Sequence, residues 1–385
     1  MMIEPFVQAF ALVSLDFVKG AIGILVVFTA IVGIHELGHY LAARWRGMVV
    51  EEFAFGIGPK VLAYRNRRQE LISLRLLPLG GFVRVRGMEP QEDGSEVDVE
   101  RGFYNRGLLS RAIVLAAGPF ASIVGGLVLA WIGLAAFGQP DIAPEVRIAS
   151  VEEGSAAQAA GLQPGDEIIL VDGKSPGGPL EFRNRISESK GRPLRLTLLR
   201  DGKEMQVEVA PRLKQDVPLF DKEGNPILDE KGEQKKGPDY QLGIRMEAKQ
   251  IFKPVGFLEA GRLAVRQTTE IVVGTVAVFT KVREIKDNVG GPITIGVISA
   301  KAAQTGLASL ILLASIISIS LGLINLLPVP PLDGGQLLIV GIEALRGGRR
   351  LSFQAQNAIA LVGFLFVMAL IVAVFTVDIN RWFGQ

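Results

Sequence analysis

The sequence has no cysteine and only two histidines among its 385 residues. Without cysteine there is no disulfide to staple a small secreted fold and no thiolate for a metal. Any metal must therefore be held by histidine and carboxylate. Aromatic residues are few, at 7%, and the net charge of +2 says little as a total; where Lys and Arg fall matters more. The N-terminus has neither a basic n-region nor a small-residue cleavage site, so its apolar stretch is expected to stay as a span. What is abundant is apolar residue, at 49%, with a mean hydropathy of +0.35. That balance points to a membrane protein with a substantial soluble part, and the length leaves room for two or three domains.

Both histidines fall in one stretch, Ile-His35-Glu-Leu-Gly-His39-Tyr, inside an apolar run. Four residues apart on a helix, His35 and His39 share a face and can hold Zn²⁺ by nitrogen. Glu36 stands beside the first, placed to act as a base on the attacking water. Residues 20–34 carry no charge, and 37–43 are apolar apart from His39 and Tyr40. A chance match would fall more readily on a solvated helix, because ionisable groups at membrane depth are costly and mark function.

Four largely uncharged stretches are long enough to cross a bilayer, which takes about 20 residues, the first if the motif is allowed inside it. They are 18–43, 112–140, 302–332 and 351–377, the third with its helix stopping near Leu327. Arg44, Arg46, Lys60, Arg65, Arg67, Arg68, Arg84 and Arg86 follow the first, and Arg346, Arg349 and Arg350 follow the third. By the positive-inside bias these loops are cytoplasmic and both termini lie outside. The same bias accounts for the arginines without nucleic acid as a partner. Residues 49–86 alternate at period two around a polar tip at 65–69, the pattern of a β-hairpin. Two readings fit: a hairpin dipping beside the motif helix, or an ordinary cytoplasmic one.

The soluble part lies between the second and third spans. Residues 146–209 alternate strand patterns with Gly-rich turns, and 194–199 and 205–209 flank an Asp-Gly turn typical of a hairpin. Gly161-Leu-x-x-Gly-Asp166, an Ile-Ile-Leu-Val strand and Asp172-Gly173 resemble a PDZ module, which either takes a peptide at a sheet edge or serves as a spacer or size filter. The expected divisions are a first membrane half at 1–143, a PDZ-like domain at 144–212, a polar insertion or linker at 213–250, an amphipathic membrane-surface segment at 251–300, and a second membrane half at 301–385. The fold class is thus a polytopic α-helical membrane protein of four transmembrane helices and a membrane-associated β-hairpin, with one inserted PDZ-like β-rich domain.

Two histidines do not complete a catalytic zinc site, which usually has three protein ligands. Asp333, in Asn325-Leu-Leu-Pro328-Val-Pro330-Pro-Leu-Asp333-Gly-Gly, is the only carboxylate between Lys301 and Glu343. The topology brings it to the same side of the membrane as His35 and His39. Its alternative role is that of an N-cap or turn residue before the glycine pair.

With these motifs in this order the chain resembles a site-2 protease, specifically the PDZ-bearing bacterial branch of regulator-of-sigma-E type. Gly118-Pro-Phe-Ala-Ser122 is similar to that family's Gly-x-x-x-Asn/Ser/Gly element near the site, and Gly290-Gly-Pro-Ile-Thr-Ile-Gly296 to its stretch leading into the third span. Some relatives carry two PDZ modules; this chain has room for one. The resemblance implies an intramembrane zinc metalloprotease of the bacterial inner membrane. It implies a substrate with a single transmembrane helix, such as an anti-sigma factor or remnant signal peptide, already shortened by another protease. It further implies that Asn325, Pro328 and Pro330 engage the substrate and that Gly118 and Ser122 lie near the site. The lipid bilayer is a partner, and a peptide in the PDZ groove a possible one. Two other classes compete: an anchored peptidase for soluble peptides, and a non-enzymatic scaffold displaying a PDZ-like module. The first is disfavoured because the motif sits within a span, on the cytoplasmic side and away from the PDZ-like module; the second leaves a His, Glu, His and Asp set at membrane depth without a purpose.

Overall fold

The structure, a computed structural model, describes residues 15–89, 91–229, 234–280 and 291–383. The start of the N-terminal apolar stretch, part of the amphipathic 251–300 segment (281–290) and Gly290 of the Gly-Gly-Pro element lie outside the described residues. The chain divides into two compact units, 1–138 with 255–385, and 139–254.

In the first unit the motif run forms α1 (Leu15–Trp45), a 31-residue helix with no proline inside it. It stops at Gly47, whose φ of 73° suits glycine, with Met48 N–H bonded back to the Ala43 carbonyl. Strands β1 (Val50–Arg65) and β2 (Leu71–Val85) follow. They do more than form a plain ribbon. Residues 52–55 pair with 81–84 on one side and with 71–74 on the other, and 71–74 pair in turn with 62–65. The chain folds over at Gly56 and Gly58, both at positive φ, and at Gly80. Among the described residues, 81–84 pair on one side only.

Helix α2 (Leu108–Phe137) carries Pro119 within it. It ends at Gly138, where the second unit begins at residue 139. After that unit come α5 (Phe257–Thr280), α6 (Pro292–Thr305), α7 (Leu307–Asn325), α8 (Asp333–Leu345) and α9 (Phe353–Phe383), numbering the second unit's two helices as α3 and α4. The stretch expected as one span at 302–332 is broken at Gly306, which sits at a φ of 111°. Its helix ends at Asn325, just before Pro328. Helices α2 and α7 pack through glycine: a Cβ on Gly126 would meet Ile319 and the Ser315 carbonyl, and one on Gly322 the Pro119 carbonyl. Close backbone approach of this kind is how helices associate in lipid, where apolar burial gives no drive. Among the described residues three helices are long and apolar enough to cross a membrane: Leu108–Phe137, Leu307–Asn325 and Phe353–Asn380.

The second unit is β-rich. Strands β3 (Gln139–Ile142) and β11 (Gln250–Lys253) pair at its two chain ends. Between them β4 (Val146–Val151), β5 (Glu167–Val171), β6 (Leu194–Arg200), β7 (Lys203–Val209) and β10 (Ile244–Glu247) form a sheet of order β10-β4-β5-β6-β7. Helices α3 (Ala156–Ala159) and α4 (Gly178–Glu188) complete the unit. Its core gathers Val146, Ile148, Ile168, Phe182, Leu196 and Leu198. Residues 213–250 carry more structure than their polar, turn-rich composition suggests. Strands β8 (Arg212–Pro218) and β9 (Lys236–Gln241) pair there, and β10 joins the main sheet beside β4.

Candidate metal centre

Helix α1 sets His35 and His39 one turn apart, and α2 fixes how their rings point. His39 Nδ1 donates to the Val114 carbonyl at 2.8 Å, which leaves its Nε2 as a lone pair. A helical carbonyl has a second lone pair beyond its i+4 bond, and the Val114 carbonyl turns it to the histidine. Gly118 leaves the space for that ring, since a Cβ there would fall on His39. His35 Nδ1 lies 2.9 Å from Ser122 Oγ, a hydroxyl that can accept its proton. Ser122 is fully buried, and its carbonyl accepts from Ser318 Oγ of α7 at 2.8 Å.

Asp333 is the first residue of α8; the N-cap position is Leu332. Its carboxylate faces the histidines. Asp333 Oδ2 is 3.1 Å from His35 Nε2 and 3.4 Å from His39 Nε2, and the two Nε2 atoms are 3.2 Å apart. With each Nδ1 turned to a partner on α2, both Nε2 atoms and the Asp333 carboxylate converge, and with each Nδ1 carrying the proton they offer three lone pairs to a cation. The edges also fit. At Zn–N and Zn–O distances of about 2.0–2.1 Å, a tetrahedral site has ligand atoms about 3.4 Å apart. Among the described residues His35, His39 and Asp333 form a group able to hold a metal. Gly334 and Gly335 bring the carboxylate in: a Cβ on either would collide with the backbone of 326–330.

The donors open into a cavity of about 370 Å³ lined also by Glu36, Phe82, Val83, Met88 and Asn325. Gly81 passes close to Glu36, where an added Cβ would stand 3.4 Å from the Glu36 Cγ. The half-paired segment 81–84 therefore borders the site. Of the residues singled out in the sequence, His35, Glu36, His39, Asn325 and Asp333 meet here, with Gly118 and Ser122 directly behind the rings. Pro328 and Pro330 do not line this cavity. They line an adjoining apolar groove of about 500 Å³ with Val362, Gly363 and Phe366 of α9. Sequence reasoning missed the Val114 carbonyl, for which Gly118-Pro119 was the available signal, and Phe82, Val83 and Met88, for which an alternating strand pattern names no side.

Residues 23–370 match the model of peptidase family M50. The chain belongs to peptidase family M50, the site-2 proteases. A Geobacillus kaustophilus protein named zinc metalloprotease RasP is 30% identical to this M50 chain over 441 aligned residues, covering 95% of it and 99% of the relative. A Brucella suis protein provisionally named a zinc metalloprotease is 34% identical over 359 residues, 89% of this chain and 90% of its own. One from Clostridium perfringens, named in the same way, is 32% identical over 355 residues, 92% and 97% of the two chains. The M50 chain is a zinc metalloprotease, with Zn²⁺ as its cofactor, and an integral membrane protein with an inserted β-rich unit.

Proposed function

We propose that this M50 peptidase is an intramembrane endopeptidase, cleaving a peptide bond in or near the transmembrane helix of another membrane protein. The observation that carries the reading is the convergence of His35, His39 and Asp333 on a cavity shared with Glu36, in a chain whose helices suit a bilayer. In this reading His35, His39 and Asp333 hold Zn²⁺. Bound there, Zn²⁺ supplies Lewis acidity that polarises the scissile carbonyl and brings the pKa of water toward ~7. Glu36 takes the proton of the attacking water and passes it to the leaving nitrogen. Gly118 and Ser122 hold the two rings in register. Asn325 engages the substrate backbone from the cavity wall, while Pro328 and Pro330 shape the adjoining groove for the substrate helix.

A transmembrane helix hides its carbonyls in its own hydrogen bonds, so the substrate must unwind before attack. The half-paired segment 81–84 beside Glu36 offers unpaired backbone groups to which an unwound stretch can add as a strand. Exposed Ile57, Val61, Leu62, Leu74, Leu76 and Leu77 on the folded-over part of the hairpin support its dipping into lipid. In this reading the chain crosses a bacterial inner membrane four times, by α1, α2, α7 and α9, with both termini and the β-rich unit outside the cytoplasm and the metal end toward it. The arginines following α1 and at 346–350 support that orientation. The β-rich unit is read as PDZ-like, its groove open to a peptide. The substrate class is a single-span protein, such as an anti-sigma factor or a remnant signal peptide.

The test is cleavage of a single-span substrate by the purified chain in liposomes. Wild type should cut within or beside the span in a zinc-dependent way, and proline at alternate positions of 81–84 should slow cleavage of helical substrates. Equal cleavage of the same peptide bond in an unanchored soluble peptide would overturn the intramembrane reading.

A further inference from the structure

Helix α8 delivers Asp333, and its start is held by the close packing of Gly334 and Gly335 on the backbone of 326–330. A proline-rich loop precedes it, and Gly347 and Gly348, at φ of 70° and 85°, follow it closely. Near its far end Glu343 is completely buried and bonded to Arg111 of α2 at 2.5 Å, with Arg111 itself only 4% exposed. The second Glu343 oxygen accepts the Leu351 N–H at 3.3 Å. The Arg111 guanidinium lies over the Tyr104 ring at 5.1 Å, and its Nε and Nη1 have no hydrogen-bond partner among the described residues. A buried ion pair of this kind contributes little net stability, because desolvation offsets the attraction; what it can define is position. Arg111, Val114, Gly118 and Ser122 are three, four and four residues apart, so they share one face of α2. Val114 and Ser122 orient the two histidines, and Gly118 makes room for one of them. Arg111 holds the helix that bears the third donor.

We propose that Arg111 and Glu343 are positioning residues for the metal centre: one face of α2 sets all three donors, His35 and His39 directly and Asp333 through the Glu343 latch. The inference rests on the reading of Asp333 as a ligand. Three donors must converge to within tenths of an ångström, and a helix clamped at both ends holds its first carboxylate where a helix clamped at one end lets it swing.

The test uses the full chain in detergent, with zinc affinity measured by competition against a chromophoric chelator and melting followed with and without zinc. Glu343→Gln keeps the shape of the side chain and should weaken zinc binding about tenfold, the lower end of what losing a group bonded directly to a ligand costs. The rise in melting temperature that zinc produces should shrink with it. Arg111→Met should behave alike, and Arg111→Lys, which keeps the charge, should recover most of the affinity. In an Asp333→Ala background Glu343→Gln should cost no further affinity. If the variants lower melting equally with and without zinc while affinity stays at the wild-type value, the pair is merely structural and the proposal is overturned. Further weakening by Glu343→Gln in the Asp333→Ala background would overturn it too. Wild-type zinc affinity in Asp333→Ala alone would instead remove the ligand reading on which the proposal stands, and is told apart because it appears with Arg111 and Glu343 intact.

Discussion

The two units of this chain place polar and apolar residues in opposite ways. The unit at 139–254 buries a single apolar cluster, with Phe182, Leu196 and Leu198 fully enclosed, and leaves most of its charges in contact with solvent. The other unit turns Leu361, Phe364, Leu365, Phe366 and Ile371 of α9 outward and encloses Arg111, Ser122, Glu343 and Asp378. A soluble unit gains by removing apolar surface from water. A membrane unit has no such gain between its helices, so buried polar contacts and close glycine packing do the holding, and a buried titratable group there marks a task.

The contrast is sharpest at the chemistry. Glu36→Gln should lower turnover by about 10³-fold, within the usual range for a lost general base, while zinc stays at the wild-type content. Peptide cleavage and metal analysis on one preparation check both halves; metal lost together with activity would make Glu36 structural. Gly118→Ala, a single added methyl in the membrane unit, should displace the His39 ring and cost most of the bound zinc, read by the same metal analysis.

Packing is the next point of contrast. Phe182→Ala should destabilise the β-rich unit by about 3–5 kcal/mol, as emptying a core aromatic site does. Phe366→Ala, at a position 56% exposed on α9, should change folding by no more than about 0.5 kcal/mol in detergent. Hydrogen exchange resolved by segment distinguishes the two, and comparable effects would break the comparison. The smallest effect concerns pH. Burial acts to raise the Asp166 carboxyl, but the two-pronged Arg200 guanidinium at 2.7 and 2.8 Å and the Gln163 N–H outweigh it, so the pKa lies below the usual carboxylate range. The unfolded chain then binds the proton more readily. The stabilisation is complete above the unfolded pKa of about 3.9 and is lost as pH falls through the folded value. Arg200→Met should flatten this acid-side loss in a melting series between pH 5 and pH 2.5.

Some of the centre was legible before any coordinates. His35, Glu36 and His39 lie within one helical turn, where spacing dictates a shared face, and Asp333 stood out as the lone carboxylate in a long apolar stretch. The break at Gly306 and the folding-over of the hairpin at Gly56, Gly58 and Gly80 were not legible, because glycine permits such conformations without demanding them. Nor was the strand β10 inside a polar, turn-rich stretch, since it exists through pairing with β4, almost a hundred residues earlier.

Local chemistry thus reaches as far as local order does. Residue type and helical period name the two histidines on one face, the glutamate beside them and the apolar stretches, because these depend on neighbours within a few residues along the chain. Which nitrogen of each histidine faces Asp333 was decided by Val114 and Ser122 of another helix, 75 and 87 residues away in sequence. The contact between Arg111 and Glu343 spans 232 residues, and that of His35 with Asp333 spans 298. Such pairings follow from packing between helices, and no period in the chain encodes them.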